Sequence, residues 1–160
     1  MAKDPQVLNP AIAFAATVAL AAGNVDQAAA LASELITRLA NHAGALLGAD
    51  WPVDLAIVLA ELGRGQELVK LAARSRPHTV WLDAAAAFAA GEFQRAADRY
   101  AAIGSLPDEA FARLQAAKRL LAEGRRPEAN AQLRHALAFY HQVQASAYLA
   151  EGEALLAASA

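Results

Sequence analysis

The sequence of 160 residues has no cysteine and no excess of charge of either sign. Without cysteine there can be no disulfide, no thiolate metal ligand and no cysteine nucleophile. The 14 lysines and arginines nearly balance the 16 aspartates and glutamates, and the formal net charge is −2. Such a chain lacks the positive field that captures nucleic acid or an anionic membrane. We therefore expect neither of these as a partner.

Motifs for catalysis and cofactor binding are also missing. The sequence has no Gly-x-Ser-x-Gly elbow and no Gly-Lys-Ser/Thr phosphate loop, and Gly63-Arg64-Gly65 follows a helical stretch rather than a strand. His135 and His141 fall on different faces of a helix, whereas metal ligands on a helix lie one turn apart. The sequence predicts no enzyme, no cofactor and no metal site.

An uncharged run, Pro10–Ala22, lies near the start of the chain. It covers about 13 residues, fewer than the roughly 20 that a membrane span needs. A signal peptide is the alternative, because residues 20–22 weakly resemble a cleavage site. The charge of Lys3 is cancelled by Asp4, however, which leaves no basic start. We favour a buried first helix and expect a cytoplasmic protein.

Helix-favouring residues dominate the composition. Hydrophobic residues make up 57%, and much of that share is alanine, the strongest helix former. Apolar residues recur at spacings of three and four, and no alternation of period two occurs, so the predicted class is all-α. Nine helices are predicted, near 10–22, 25–42, 52–62, 65–75, 78–90, 92–103, 107–123, 127–143 and 145–158.

Glycine and proline punctuate these predicted helices. A glycine just past a helix end can take a positive φ, and a proline in the first turn costs no hydrogen bond. The irregular link from Asn41 to Asp50 breaks the pattern, and we expect Trp51 to pack over it. The glycines are Gly23, Gly63, Gly91 and Gly124, and the prolines are Pro10, Pro52, Pro77, Pro107 and Pro127.

The chain repeats itself when it is aligned on these four glycines. Small or medium apolar residues recur seven and four residues before each glycine and five residues after it. Two antiparallel helices joined by a tight turn need such residues where their backbones approach closest. This predicts one domain over 1–160, with hairpins near 10–42, 52–75, 78–103 and 107–143 and a cap over 145–158 held by Phe139, Tyr140 and Tyr148. The repeat positions are Ala16, Ala56, Ala84 and Ala117, then Ala19, Leu59, Ala87 and Leu120, then Ala28, Leu68, Ala96 and Ala129.

The segment 91–100 resembles the central stretch of a tetratricopeptide repeat. In that family a Gly-acidic-aromatic turn precedes an alanine and then an aromatic, and Phe93, Ala96 and Tyr100 occupy these places. An earlier copy departs from the pattern, with Gly65 at the aromatic position. Successive glycines lie 40, 28 and 33 residues apart, around the family period of about 34. The resemblance implies a right-handed superhelix whose concave face, made by the first helix of each pair, binds proteins.

Transferred onto this chain, the family's geometry implies a set of groove residues. His78, Trp81 and Phe88 would come from the third hairpin, and Phe111 and Lys118 from the fourth. Trp81 is the expected anchor, because tryptophan supplies a large and rigid contact area. A place in the core between repeats is its alternative role. The implied function is a non-catalytic, regulatory module that binds a peptide or a neighbouring domain.

A second likeness covers residues 78–160. The segments 111–114, 123–129, 136–140 and 151–157 look like the C-terminal helical-repeat region of large bacterial regulators. Those proteins carry a signalling ATPase module with a class III nucleotide cyclase or a transcription-factor module. The alternative function is then a structural array that supports the domains of a larger regulator or associates with itself, for example as a homodimer, because exposed apolar ends tend to pair.

Overall fold

The computed structural model describes residues 4–41, 51–76 and 78–158. These residues form nine α-helices and no strand, which confirms the all-α class. The helices are α1 (Pro5–Ala21), α2 (Val25–Asn41), α3 (Pro52–Glu61), α4 (Gly65–Arg74), α5 (Val80–Ala89), α6 (Phe93–Ile103), α7 (Leu106–Ala122), α8 (Arg126–Gln142) and α9 (Ser146–Ala158).

The chain divides into two compact units, Met1–Gly91 and Glu92–Ala160. In the first unit α1 packs on α2 and α3 on α4, and α3 also contacts both α1 and α5. In the second unit α7 packs against α6 and α8, and α9 packs against α8. Three of the predicted hairpins are therefore present as packed pairs. The division falls inside the hairpin predicted over 78–103, and the single domain and the superhelix stay predictions.

Seven helices begin and end within one residue of the predicted bounds, and α1 is one of the two exceptions. It begins at Pro5 rather than near residue 10, because Asp4 Oδ1 accepts a hydrogen bond from Gln6 N at 2.9 Å and caps the first turn. Pro10 consequently lies inside α1 and does not mark its start. The prolines at 52, 107 and 127 do stand in the first turns of α3, α7 and α8, as predicted.

The second exception is α5, which begins at Val80 rather than at residue 78. Thr79 Oγ1 accepts a hydrogen bond from Leu82 N at 3.2 Å and so fixes the helix start. Pro77 and the link 42–50 lie outside the described residues. Trp51, which follows that link, is buried.

The turns between paired helices share one geometry. After α1, Gly23 has φ +79°, Gly23 N donates to Leu20 O at 2.9 Å, and Asn24 N donates to Ala19 O at 2.9 Å. This is a Schellman motif, in which a left-handed residue closes the helix. Glycines 63, 91 and 124 also have positive φ, as does Gly104, which the repeat did not predict.

The positions picked out by the glycine-aligned repeat are buried. All of its members lie in the core, and Ala84 and Ala96 are 0% exposed. A larger side chain at either position would need space that the neighbouring helices already fill. The alanines therefore mark places where the chain packs tightly, as their spacing predicted.

Candidate partner-binding surface

In the first unit, two of the predicted groove residues, His78 and Trp81, lie at the start of α5. Trp81 occupies its first turn and is half-buried, and Val80 beside it is 59% exposed. His78 Nδ1 lies 3.3 Å from Asp83 Oδ1, and the two side chains are 41% and 39% exposed. We call these four residues the Trp81 patch. The patch combines a half-buried aromatic ring with an exposed apolar neighbour and a polar rim.

Two of the predicted groove residues differ from expectation. Phe88 is 3% exposed and belongs to the core, so in this conformation it has almost no surface to offer a partner. His78 precedes the helix rather than lying on it, because the Thr79 cap starts α5 at Val80. Of the residues predicted in this hairpin, Trp81 therefore remains the only one that is on α5 and still partly exposed.

In the second unit, Phe111 and Lys118 face α9. The ring of Phe111 meets the ring of Tyr148 edge-on, with centroids 6.1 Å apart and planes at 78°. Lys118 Nζ lies 2.6 Å from Glu151 Oε1. Tyr148 and Glu151 both belong to α9. The face of α7 that was predicted to bind a partner is thus covered by the chain's own last helix.

Close packing holds α9 on the α7–α8 pair. Tyr148 stacks on Tyr140, with centroids 4.8 Å apart and planes at 13°. Gly152 is buried, and a Cβ there would lie 2.8 Å from Leu137 Cδ2. Burial, with smaller contributions from Tyr148 and Glu151, raises the pKa of the Tyr140 phenol. Further apolar side chains of α9 pack on the same core, namely those of Leu149, Leu155 and Leu156.

The cap was predicted to be held by Phe139, Tyr140 and Tyr148; the rings of Tyr140 and Tyr148 do stack, and Phe139 packs on the same core. The contact of the cap with Phe111 and Lys118 was not predicted. Two signals were present. Glycine inside a helical pattern points to close packing, and Gly152 provides it against the Leu137 side chain. Residues three apart share a helix face, so an anchor at 148 brings the carboxylate at 151 to the same side.

A second apolar surface lies on α1, where the sequence predicted a buried helix. One face of α1 is buried, and it packs on α2 and α3 through Ile12, Ala13, Ala16 and Ala19. On the opposite face Val7, Phe14 and Val18 are 71%, 63% and 51% exposed. The prediction of a buried first helix therefore holds for one face only.

A shallow cavity of about 250 Å³ lies between α7 and α8, beside Arg113. The guanidinium of Arg113 is already engaged by Glu109 Oε1 at 2.7 Å, Gln132 Oε1 at 2.9 Å and Asp98 Oδ1 at 3.4 Å. Its side chain is only 12% exposed. This charge stabilises the second unit and is poorly placed to receive a ligand.

The carboxylates with a shifted pKa belong to ion pairs with arginine, and two of them, Glu67 and Glu128, lie at helix starts. Hydrogen bonds from Arg64 lower the pKa of Glu67, and hydrogen bonds from Arg125 lower the pKa of Glu128. The lowered pKa makes each carboxylate a weaker base, and neither is protonated at neutral pH to serve as a general acid. Among residues 4–41, 51–76 and 78–158, no group of three or more His, Asp or Glu side chains is placed to hold a metal ion.

The described residues form an all-α protein that contains packed helix pairs. No protein-family model, no curated protein and no solved structure matches the chain. Within the described part of the chain, no helix has both the length and the apolar character needed to cross a membrane. The tetratricopeptide likeness and the likeness to bacterial regulators therefore rest on the sequence motifs.

Proposed function

We propose that this chain is a non-catalytic protein–protein interaction module that binds a peptide or a neighbouring domain at the Trp81 patch. The observation that carries the proposal is the docking of α9. A hairpin of this chain already accepts a helix, using an aromatic anchor, Tyr148, and an ion pair, Lys118–Glu151. The Trp81 patch offers the same kinds of group on the first unit.

Trp81 suits an interface because binding would restrict its side chain little further. The half-buried indole is already partly packed in the free protein, so less side-chain conformational entropy is lost on binding. The ring offers a large and rigid apolar area in one side chain. Val80 extends the apolar contact, and the His78–Asp83 pair forms a polar rim. This combination of an apolar centre and a polar rim is typical of protein interfaces.

The test is selection of binding peptides followed by substitution. Peptides are selected from a displayed library on immobilised wild-type protein, and their dissociation constants are measured by calorimetry. Trp81→Ala should weaken binding by about 10-fold or more, since a central aromatic anchor is typically worth over 1 kcal/mol. Val143→Ala is the control, because Val143 is 50% exposed and lies in the other unit. Equal affinity in Trp81→Ala and wild type would refute the proposal.

The second candidate is a structural array that supports other domains or associates with itself, and the exposed apolar face of α1 favours it. In that case Trp81 serves the core. Trp81→Ala would then lower the melting temperature markedly, and no selected peptide would depend on the indole. The proposed regulatory role and the place in a larger regulator follow from the sequence likeness and are tested by the same variant in the longer protein.

A further inference from the structure

Helix α1 carries an apolar stripe on its solvent side. Its five members alternate at spacings of four and three, the pattern of a coiled-coil seam. The three large ones, Val7, Phe14 and Val18, are 71%, 63% and 51% exposed. The two small ones, Ala11 and Ala21, are exposed as well. We call these five residues the α1 stripe. Their burial by another surface would be favourable, because each removes apolar area from water.

The lack of charge around the α1 stripe limits the kinds of surface that can bury it. No charged residue occurs from Pro5 to Asn24. A helix that lies on a lipid surface normally carries lysine or arginine beside its apolar face, and α1 has neither. A charged partner would also find no complementary charge on this helix. The matching surface is therefore an uncharged, apolar helix face.

We propose that the α1 stripe pairs with the α1 stripe of a second copy of this chain, in an antiparallel dimer with twofold symmetry. One register sets Val7 against Val18 of the second copy and Phe14 against Ala11 of the second copy. The small alanine leaves room for the phenyl ring, and the two valines are equal in size. The stripe is thus complementary to itself, as a twofold interface requires. Antiparallel packing also places opposite ends of the helix dipoles side by side.

The packing and charge of α1 keep the free-energy cost of this pairing low. Its buried face is fixed on α2 and α3, so the stripe is presented by a helix that is already ordered. The two Asp4 carboxylates would lie at opposite ends of the paired helices, about 25 Å apart, and would not repel each other strongly. The seam is short, so we expect a dissociation constant on the order of 10 µM.

Sedimentation velocity on the full chain tests the dimer. Between about 1 and 300 µM, the wild type should pass from monomer to dimer. Phe14→Glu puts a charge at the centre of the seam and should weaken association about 100-fold or more. Its melting temperature should equal that of wild type at concentrations where both are monomeric, because Phe14 is exposed in the single chain. Leu106→Glu is the matched control at a 50% exposed position in the other unit, and it should behave as wild type.

Disulfide cross-linking tests the register. Because the sequence has no native cysteine, only the introduced cysteines can form disulfides. Chains with Val7→Cys and chains with Val18→Cys, carrying tags of different size, are mixed and oxidised. The antiparallel register predicts mixed disulfides between the two variants. A parallel dimer would instead give disulfides between identical variants, which would overturn the proposal.

Three further results would overturn the proposed dimer. The wild type could stay monomeric throughout the concentration range, or the dimer could persist in Phe14→Glu. Neutral lipid vesicles could also bind α1 in place of a second copy. The inference develops the self-association named as the second candidate and is independent of the Trp81 patch. Phe14→Glu should retain the selected peptides, and Trp81→Ala should retain the dimer, so failure of one proposal is distinguishable from failure of the other.

Discussion

A Cβ atom at Gly65 would overlap the carbonyl oxygen of Ala89 and lie 2.6 Å from its carbonyl carbon. Gly65 begins α4 and Ala89 ends α5, so these two helices touch backbone to backbone. Side chains can rotate away from a new methyl group, whereas a helical carbonyl is held by its neighbours. The contact accounts for glycine at the place where the repeat pattern has an aromatic residue.

Gly65→Ala should therefore destabilise the first unit by about 3 kcal/mol. The control is Gly152→Ala, where the new Cβ meets only the flexible end of Leu137. There, the gain in helix propensity of about 1 kcal/mol offsets the repacking, and the net change should stay within about 1 kcal/mol. Urea denaturation measures both. Equal losses in the two variants would contradict the difference drawn between a backbone contact and a side-chain contact.

The buried alanines should not tolerate larger residues. Ala84→Leu and Ala96→Leu each add a bulky side chain at a position that is 0% exposed, and each should cost about 1–3 kcal/mol. Ala101→Leu, on the exposed side of α6, is the control and should be nearly neutral. Thermal or urea unfolding of the three variants decides the matter. Wild-type stability in both core variants would mean that the repeat alignment is wrong.

Tyr148 should govern how firmly α9 is held. Tyr148→Ala removes the stack on Tyr140 and the edge contact with Phe111, which we expect to cost about 1–3 kcal/mol. Because the loss is local, hydrogen exchange should accelerate in α9 more than in α8. Val143→Ala, an exposed apolar truncation nearby, should leave exchange in α9 unchanged. Uniform acceleration across the second unit would show that α9 and the α7–α8 pair open together.

The Tyr140 hydroxyl is buried and has no hydrogen-bond partner among the described residues. A buried donor without a partner costs about 1–3 kcal/mol. Tyr140→Phe keeps the ring and its stack and removes that cost, so the variant should be more stable by about 1 kcal/mol. Calorimetric melting measures the change. A clear loss of stability would instead indicate that the hydroxyl is hydrogen-bonded.

The same phenol should make stability depend on alkaline pH. Its pKa is raised in the folded protein, chiefly by burial, above the value of about 10 expected in the unfolded chain. Above that pH the unfolded state loses the proton first, so the free energy of unfolding falls as pH rises. Urea titrations between about pH 9 and pH 11 should show a shallower fall in Tyr140→Phe than in wild type. Identical slopes would contradict the raised pKa.

The helices were largely predictable because their signals are local. A glycine after an alanine-rich segment marks a helix end in the sequence. The helices before Gly23 and Gly63 end where these glycines predict. The start of α1 was missed because the Asp4 cap outweighed the expectation that Pro10 opens a helix. Proline inside a helix loses one hydrogen bond, but here it lies close to the first turn.

The candidate site was less predictable, because it depends on contacts between helices far apart in sequence. Gly152 and the spacing of residues 148 and 151 mark a contact face of α9 but do not identify the helix that it covers. No local pattern says that Phe88 is enclosed while Trp81 is only half-buried. Hydrophobic spacing identifies a buried face but does not say which helix covers it. The α1 stripe shows the same limit, since its apolar residues look like core in the sequence and lie in solvent in the structure.

The link between α8 and α9 holds Gln144 at φ +55°, in the left-handed region that glycine occupies in the preceding turns. A residue with a side chain is less stable in that region than glycine, so the link has a conformational cost that the glycine turns avoid. Because α9 contacts Phe111 and Lys118, an external ligand for that surface would have to displace it. The apparent affinity of that ligand would be its intrinsic affinity multiplied by the fraction of molecules in which α9 has dissociated from the α7–α8 pair.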